Sequence, residues 1–322
     1  MDLETFQSLP AAEVARRVRA AGGKVCAFPI NGTRRWFMLE HQLRGDEDFA
    51  LTYYEAVGRR HIELYRLLFD HGIDTLLTPV FGPDLAARGD GYMRMASEGL
   101  ARLATHPDFL DFYDAYAVRV RFYGDYRAFF AGSPYADVPD RFDAVTARTA
   151  AHDQRRLFFG VCAHDATETV AALAIRYHAA HGRAPDKRAL IEMYYGEDVP
   201  PVDFFIGFDR FCVFDAPLVL TGNEDLYFTV SPSPYLDERQ LRAILYDHLY
   251  ARRGGETDYA DADPEAWALM GSFYRANRGR TLGVGARHPR AGFWYPTPQV
   301  ELPPGFAPDP QFTSRQRIGE AS

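Results

Sequence analysis

Cysteine is scarce in this sequence: Cys26, Cys162 and Cys212 are the only three among 322 residues. They are too few and too scattered for a disulfide framework, and with no CxxC or HExxH spacing they exclude the common zinc sites. Each is expected to be a small buried hydrophobe. Lysine is scarcer still, Lys24 and Lys187 alone, so positive charge rests on arginine. The formal net charge of −8 leaves no general basic surface for nucleic acid. Long apolar runs are missing as well. Nothing approaches the roughly 18 to 20 residues a membrane span needs, and MDLETFQSLP has neither the basic nor the apolar region of a secretory signal. A cytoplasmic location is therefore expected.

What is present is apolar and aromatic. A hydrophobic content of 47% supports a substantial core, and a 14% share of aromatic residues is high enough for some rings to line an apolar site. Helix and strand signals alternate along the chain. Helical patterns cover about 8–21, 48–71, 90–105, 107–116, 166–181, 186–195 and 237–253. Short apolar runs at 25–30, 73–81, 118–123, 156–162, 202–208 and 226–230 read as strands. This alternation predicts an α/β fold with a mainly parallel central sheet flanked by helices. Gly132 to Asp140 reads as an exposed loop, and the acidic run Glu256 to Asp263 as solvated. Beyond Gly292 the chain turns proline-rich, so residues 1–292 are expected to form one domain and 293–322 a partly disordered extension.

The segment Phe28 to Glu40, FPINGTRRWFMLE, places charge at the end of an apolar run that Pro29, Asn31 and Gly32 break. Loops at the carboxyl ends of strands are where open α/β sheets bind ligands. Gly32 lets backbone approach a ligand closely, while Arg34 and Arg35 supply two guanidinium forks matched to phosphate oxygens. Together they suit a diphosphate. When a diphosphate leaves an allylic carbon it takes negative charge with it, so fixed arginines and a divalent cation help most in the transition state. His164, Asp165 and Glu168 at helical spacing could suggest a metal site, but acid and histidine at a helix start more often cap it and complement its dipole.

The motif NGTRRW resembles the DGNRRW signature of cis-prenyltransferases, the undecaprenyl-diphosphate-synthase-like fold. It is still more similar to the FPxDGTRRWFxLE loop of the tuberculosinol synthase and tuberculosinyl adenosine transferase family. Further blocks resemble that family in order: LFDHGIDTLLTPVF, DLAARGDGY, RFYGDY, FGVCAHDATETVA, YYGEDV, FIGFDRF, DLYFTVSPSPYL and ILYDHLYARR. The resemblance implies a Mg²⁺-dependent, homodimeric enzyme that ionises a bicyclic diterpene diphosphate of the halimadienyl, kolavenyl or labdadienyl type. Water then captures the allylic cation to give an alcohol, or adenosine or another nucleophile takes the prenyl group. A silent partner subunit of a cis-prenyltransferase is the third reading.

Carried over, the resemblance makes Asn31 and Tyr53 the candidate catalytic residues. Gly32, Thr33, Arg34, Arg35, Trp36, Phe81, Phe208 and Arg210 become candidates for substrate binding, and Asn31 and Asp225 for metal. Two departures stand out. The family has aspartate at position 31, whereas asparagine is uncharged, a poorer Mg²⁺ ligand and no base near neutral pH. Either an aspartate has been replaced, holding a bound diphosphate unreacted, or the enzyme relies on other acids such as Asp225, which stands at the glutamate of the AELYF block. Chain-elongating members also carry arginines for a second diphosphate where this chain reads IGFDRF, with Gly207 and Phe208 in place of charge. Rings at Phe205, Phe208, Phe211 and Phe214 suit an apolar or cationic partner better.

Overall fold

Six apolar runs become six strands: β1 (Lys24–Ala27), β2 (Ile73–Phe81), β3 (Val118–Tyr123), β4 (Arg155–Val161), β5 (Phe204–Phe208) and β6 (Asp225–Thr229). The computed structural model describes residues 1–41, 49–82, 89–252, 263–297 and 299. Every pairing in the main sheet is parallel, in the order β3-β4-β2-β1-β5-β6. Parallel neighbours need crossovers, and the helices supply them. They are α1 (Leu3–Ser8), α2 (Ala11–Ala20), α3 (Thr33–Glu40), α4 (Phe49–Asp70), α5 (Asp90–Thr105), α6 (Pro107–Ala115), α7 (Tyr126–Phe130), α8 (Val138–Arg148), α9 (Thr167–His181), α10 (Lys187–Tyr195), α11 (Glu238–Tyr246) and α12 (Pro264–Asn277). The α/β expectation is thereby met.

Successive strand residues point to opposite faces, and both faces are apolar. Leu77, Phe158, Tyr123 and Phe205 join Leu173, Ile191, Tyr194 and Tyr195 of α9 and α10 in one buried cluster. On the other face Phe122 and Phe159 stack 5.2 Å apart, Phe122 against Phe142 of α8 and Phe159 against Tyr65 of α4. The described residues fall into two compact units. One, Pro10–Glu238, contains the whole six-stranded sheet; the other joins Met1–Leu9 to the described residues from Arg239 onward. In the latter, Phe6 packs on Tyr246 and Tyr250, each at 5.8 Å, and β7 (Gly285–Arg287) pairs antiparallel with β8 (Trp294–Pro296).

Several local expectations change. The strand predicted over 25–30 stops at Ala27; Phe28 N–H still donates to Leu77 O at 2.8 Å, but Pro29 has no N–H to continue the ladder. The loop predicted over Gly132 to Asp140 is helical from Val138, where Pro139 sits in the first turn that tolerates it. Cys26 and Cys162 are buried, but Cys212 is exposed on the loop after β5. Of the acidic run only Asp263 is described, accepting from Ala266 N–H as the cap of α12; the residues from 300 lie outside the described set. Among the described residues no helix is long and apolar enough to cross a membrane.

His61 of α4 makes a test of core electrostatics. Its Nε2 is buried with no hydrogen-bond partner among the described residues, and burial pulls its pKa from 6.5 down to about 4. Below 6.5 the unfolded chain takes up a proton that the folded protein refuses until about pH 4. Stability is therefore expected to fall as pH drops through that window. Urea midpoints measured against pH would show the slope, and His61→Leu should flatten it.

Candidate functional site

β1 is the point at which the strand order turns: β2 lies on one side of it and β5 on the other. The crevice outside the carboxyl ends at such a point is the usual ligand site of an open sheet. Two loops meet there, the one leaving β1 and the one leaving β5. Gly32 ends the first in a left-handed conformation, φ +76°, and caps α3. An added Cβ at Gly32 would lie 2.9 Å from the Phe208 ring at the end of β5 and 2.9 Å from Pro232 Cβ. Only glycine fits. The backbone of Asn31 is clamped from the other side. Its N–H donates to Ser233 Oγ at 3.1 Å, and Ser233 N–H donates to Asn31 O at 3.0 Å.

With its backbone fixed, the loop presents Thr33, Arg34 and Arg35 as the first three residues of α3. Unpaired N–H groups and the dipole make a helix start attractive to anions, and two guanidiniums strengthen that here. Arg34 is exposed and makes no ion pair among the described residues. Arg35 lies over the Phe208 ring, guanidinium carbon 4.7 Å from the centroid, and its Nη1 and Nη2 donate to Asp209 Oδ2 at 3.5 and 3.4 Å. Among the described residues the Asn31 side chain makes no hydrogen bond, leaving its amide oxygen available.

Tyr53 of α4 completes this group. Its hydroxyl shares a 2.8 Å hydrogen bond with Thr33 Oγ1, and its ring meets Phe37 edge-on at 5.3 Å. Burial raises the Tyr53 pKa, the Thr33 bond opposes that, and nearby Tyr92 adds to the rise. The phenol is thus neutral near pH 7. Tyr53→Phe is expected to lower stability by about 1 kcal/mol, the net value of one hydrogen bond, as read from urea midpoints.

The remaining candidates divide. Trp36 is half-buried, edge-on to His41 at 5.4 Å. Phe81 is buried at the carboxyl end of β2 against Phe129, 5.5 Å away. Arg210 is exposed one residue beyond Asp209, its side chain bonded to no other described residue. Asp225 is not brought to the loop. It opens β6 opposite Phe204, whereas Phe208 faces Thr229, so it stands about 13 Å down the strand at the amino end of the sheet. The four phenylalanines do not share a pocket: Phe205 is wholly buried between Phe214 and Phe228, while Phe211 is exposed against Phe228. Residues 205 and 208 are three apart on one strand and so face opposite ways.

Ser233, Asp209 and Tyr92 belong to the site but were not singled out in the sequence. Each lies inside a block that resembled the family, which was the available signal. Among the described residues no group of three or more His, Cys, Asp and Glu could hold a metal ion.

The chain is 43% identical over 292 residues to tuberculosinyl adenosine transferase of Mycobacterium tuberculosis, covering 90% of this chain and 96% of the relative. The chain belongs to the tuberculosinyl adenosine transferase family. Within reach of that family is the (+)-kolavelool synthase of Herpetosiphon aurantiacus, 26% identical over 284 residues, covering 87% of this chain and 91% of that one. Both relatives are enzymes of terpenoid transfer or synthesis. Solved cis-prenyltransferases share the fold. The lavandulyl diphosphate synthase of Lavandula x intermedia, crystallised with dimethylallyl diphosphate, superposes with TM-score 0.55 at 14% identity over 72% of this chain and 97% of its own. A probable undecaprenyl diphosphate synthase of Campylobacter jejuni gives 0.52 at 15% over 70% and 94%. No protein-family model matches the chain.

Proposed function

We propose that this chain is a diterpene synthase acting in the cytoplasm on a bicyclic diterpene diphosphate of the halimadienyl, kolavenyl or labdadienyl type. The allylic C–O bond breaks, its electron pair leaves with the diphosphate, and water adds to the cation and loses a proton to give a diterpene alcohol. What carries the reading is the loop itself: Gly32, fixed against Phe208 and Pro232, delivers Arg34 and Arg35 at the start of an eight-residue helix. Charge that develops on the leaving diphosphate meets two cations there, Arg35 already held by Asp209 and Phe208, which is where electrostatic catalysis contributes most. Tyr53, neutral and hydrogen-bonded to Thr33, offers an oriented dipole close to the same point.

Mg²⁺ is proposed as a companion of the substrate. A cation that arrives on diphosphate oxygens needs few protein donors, and the Asn31 amide oxygen is one at hand; among the described residues no cluster of acids would hold a resident ion. Bound there, the cation would offset negative charge on the diphosphate. A homodimer is also proposed, supported by exposed Leu226 and Val230 on the edge strand and its exit.

A second reading, transfer of the prenyl group to adenosine, has its own support in the 43% identity to a relative named for that transfer. Product mass separates the two. In ¹⁸O-labelled water with adenosine present, the leading reading expects a labelled alcohol and no adduct; an unlabelled alcohol or an adenosine adduct would overturn water capture.

A further inference from the structure

We infer that Asp209 is the positioning residue for Arg35, the group that aims this guanidinium at the diphosphate. The inference rests on the diphosphate reading of the loop. Four observations converge on it. Asp209 follows β5 directly and adopts φ +69°, a left-handed conformation that a residue with a Cβ takes up only at a cost. The ladder nevertheless holds it there, since its N–H still donates to Thr229 O at 3.3 Å. Its Oδ2 accepts from both terminal nitrogens of Arg35, and its Oδ1 is buried with no hydrogen-bond partner among the described residues. Arg35 itself is half exposed, at 51%, and would otherwise be free to wander in solvent.

A surface ion pair between two flexible chains contributes little. This pair differs because three of its freedoms are already removed. Asp209 is fixed by backbone, the Phe208 ring closes one side of the guanidinium at 4.7 Å, and the carboxylate holds its two terminal nitrogens. Among the described residues the Arg35 Nε–H is not taken, which leaves it to a ligand. A carboxylate placed at an anion site opposes the anion through space. It is useful only if the ordering of Arg35 outweighs that repulsion, and this sets the sign of the test.

Inorganic diphosphate binding to the full chain, by calorimetry, reads that sign. Asparagine tolerates the left-handed conformation and keeps the side-chain shape, so Asp209→Asn removes charge alone. Loss of repulsion would tighten binding. Loss of positioning weakens it, and about five- to tenfold weaker binding is expected, about the size of a one-residue coupling. In an Arg35→Ala background the same change should no longer weaken binding. Asp209→Gly, which accepts the backbone without strain, should repeat the result if Asp209→Asn fails to fold. Unchanged or tighter binding, or equal weakening in both backgrounds, would overturn the inference. Absence of diphosphate binding by the unaltered protein would instead overturn the diphosphate reading of the loop.

Discussion

Arg34→Ala and Arg35→Ala are each expected to reduce kcat/KM by about 100- to 1,000-fold, the loss seen when one preset donor to developing charge is removed. The argument lies in timing. A bound diphosphate is attracted to the loop before reaction, but its bridging oxygen gains charge only as the carbon–oxygen bond stretches. Interactions that strengthen with that charge lower the barrier, whereas those made equally to substrate lower KM alone. Most of the loss should therefore appear in kcat. Lysine in either place keeps the charge but not the planar fork and should recover only part of the rate. Arg35→Ala should also lower the melting temperature slightly, since Arg35 covers Phe208; Arg34, exposed and unpaired among the described residues, should not. Steady-state kinetics with an allylic diphosphate, beside a thermal melt of each variant, check both statements.

Gly32→Ala is expected to weaken diphosphate binding by about 100-fold and to lower stability by about 2 kcal/mol, the scale of one strained backbone position with a blocked side chain. Its φ of +76° already disfavours any L residue. The methyl group would also stand 2.9 Å from both Phe208 and Pro232, the contacts that bring the β5 and β6 exits against the loop. Relief would require the start of α3 to move, carrying Arg34 and Arg35 with it. Asn31→Asp, by contrast, leaves the backbone clamp from Ser233 intact and should raise the rate, about tenfold if the added carboxylate supports the cation carried by the substrate. Calorimetry with inorganic diphosphate and chemical unfolding separate the binding loss at Gly32 from the stability loss.

The pattern of elements was plain in the sequence because parallel strands covered on both faces are short, nearly continuous apolar runs. Ile73 to Phe81 and Val118 to Tyr123 came out with the observed bounds. Proline is where composition and structure part. Pro29 cut a strand short, and Pro139 began a helix where turn composition suggested a loop. The arginine loop was legible for a local reason: glycine, arginine pair and helix start are consecutive residues. Asp209 and Ser233 were not, because what matters about them is contact across more than 170 residues, Asp209 with Arg35 and Ser233 with Asn31. Asp225 illustrates the converse. Its alignment with a family acid said nothing of its place, and strand register puts it at the other end of the sheet.

Diphosphate release decides the central claim most directly. The protein as it stands, and its Asn31→Asp form, would each be incubated with Mg²⁺ and kolavenyl, halimadienyl or labdadienyl diphosphate, and free diphosphate measured against time. Release from at least one of these substrates is expected in both, faster with aspartate and matched one for one by alcohol or adduct. Binding without release by either form, with any prenyl diphosphate, would contradict it.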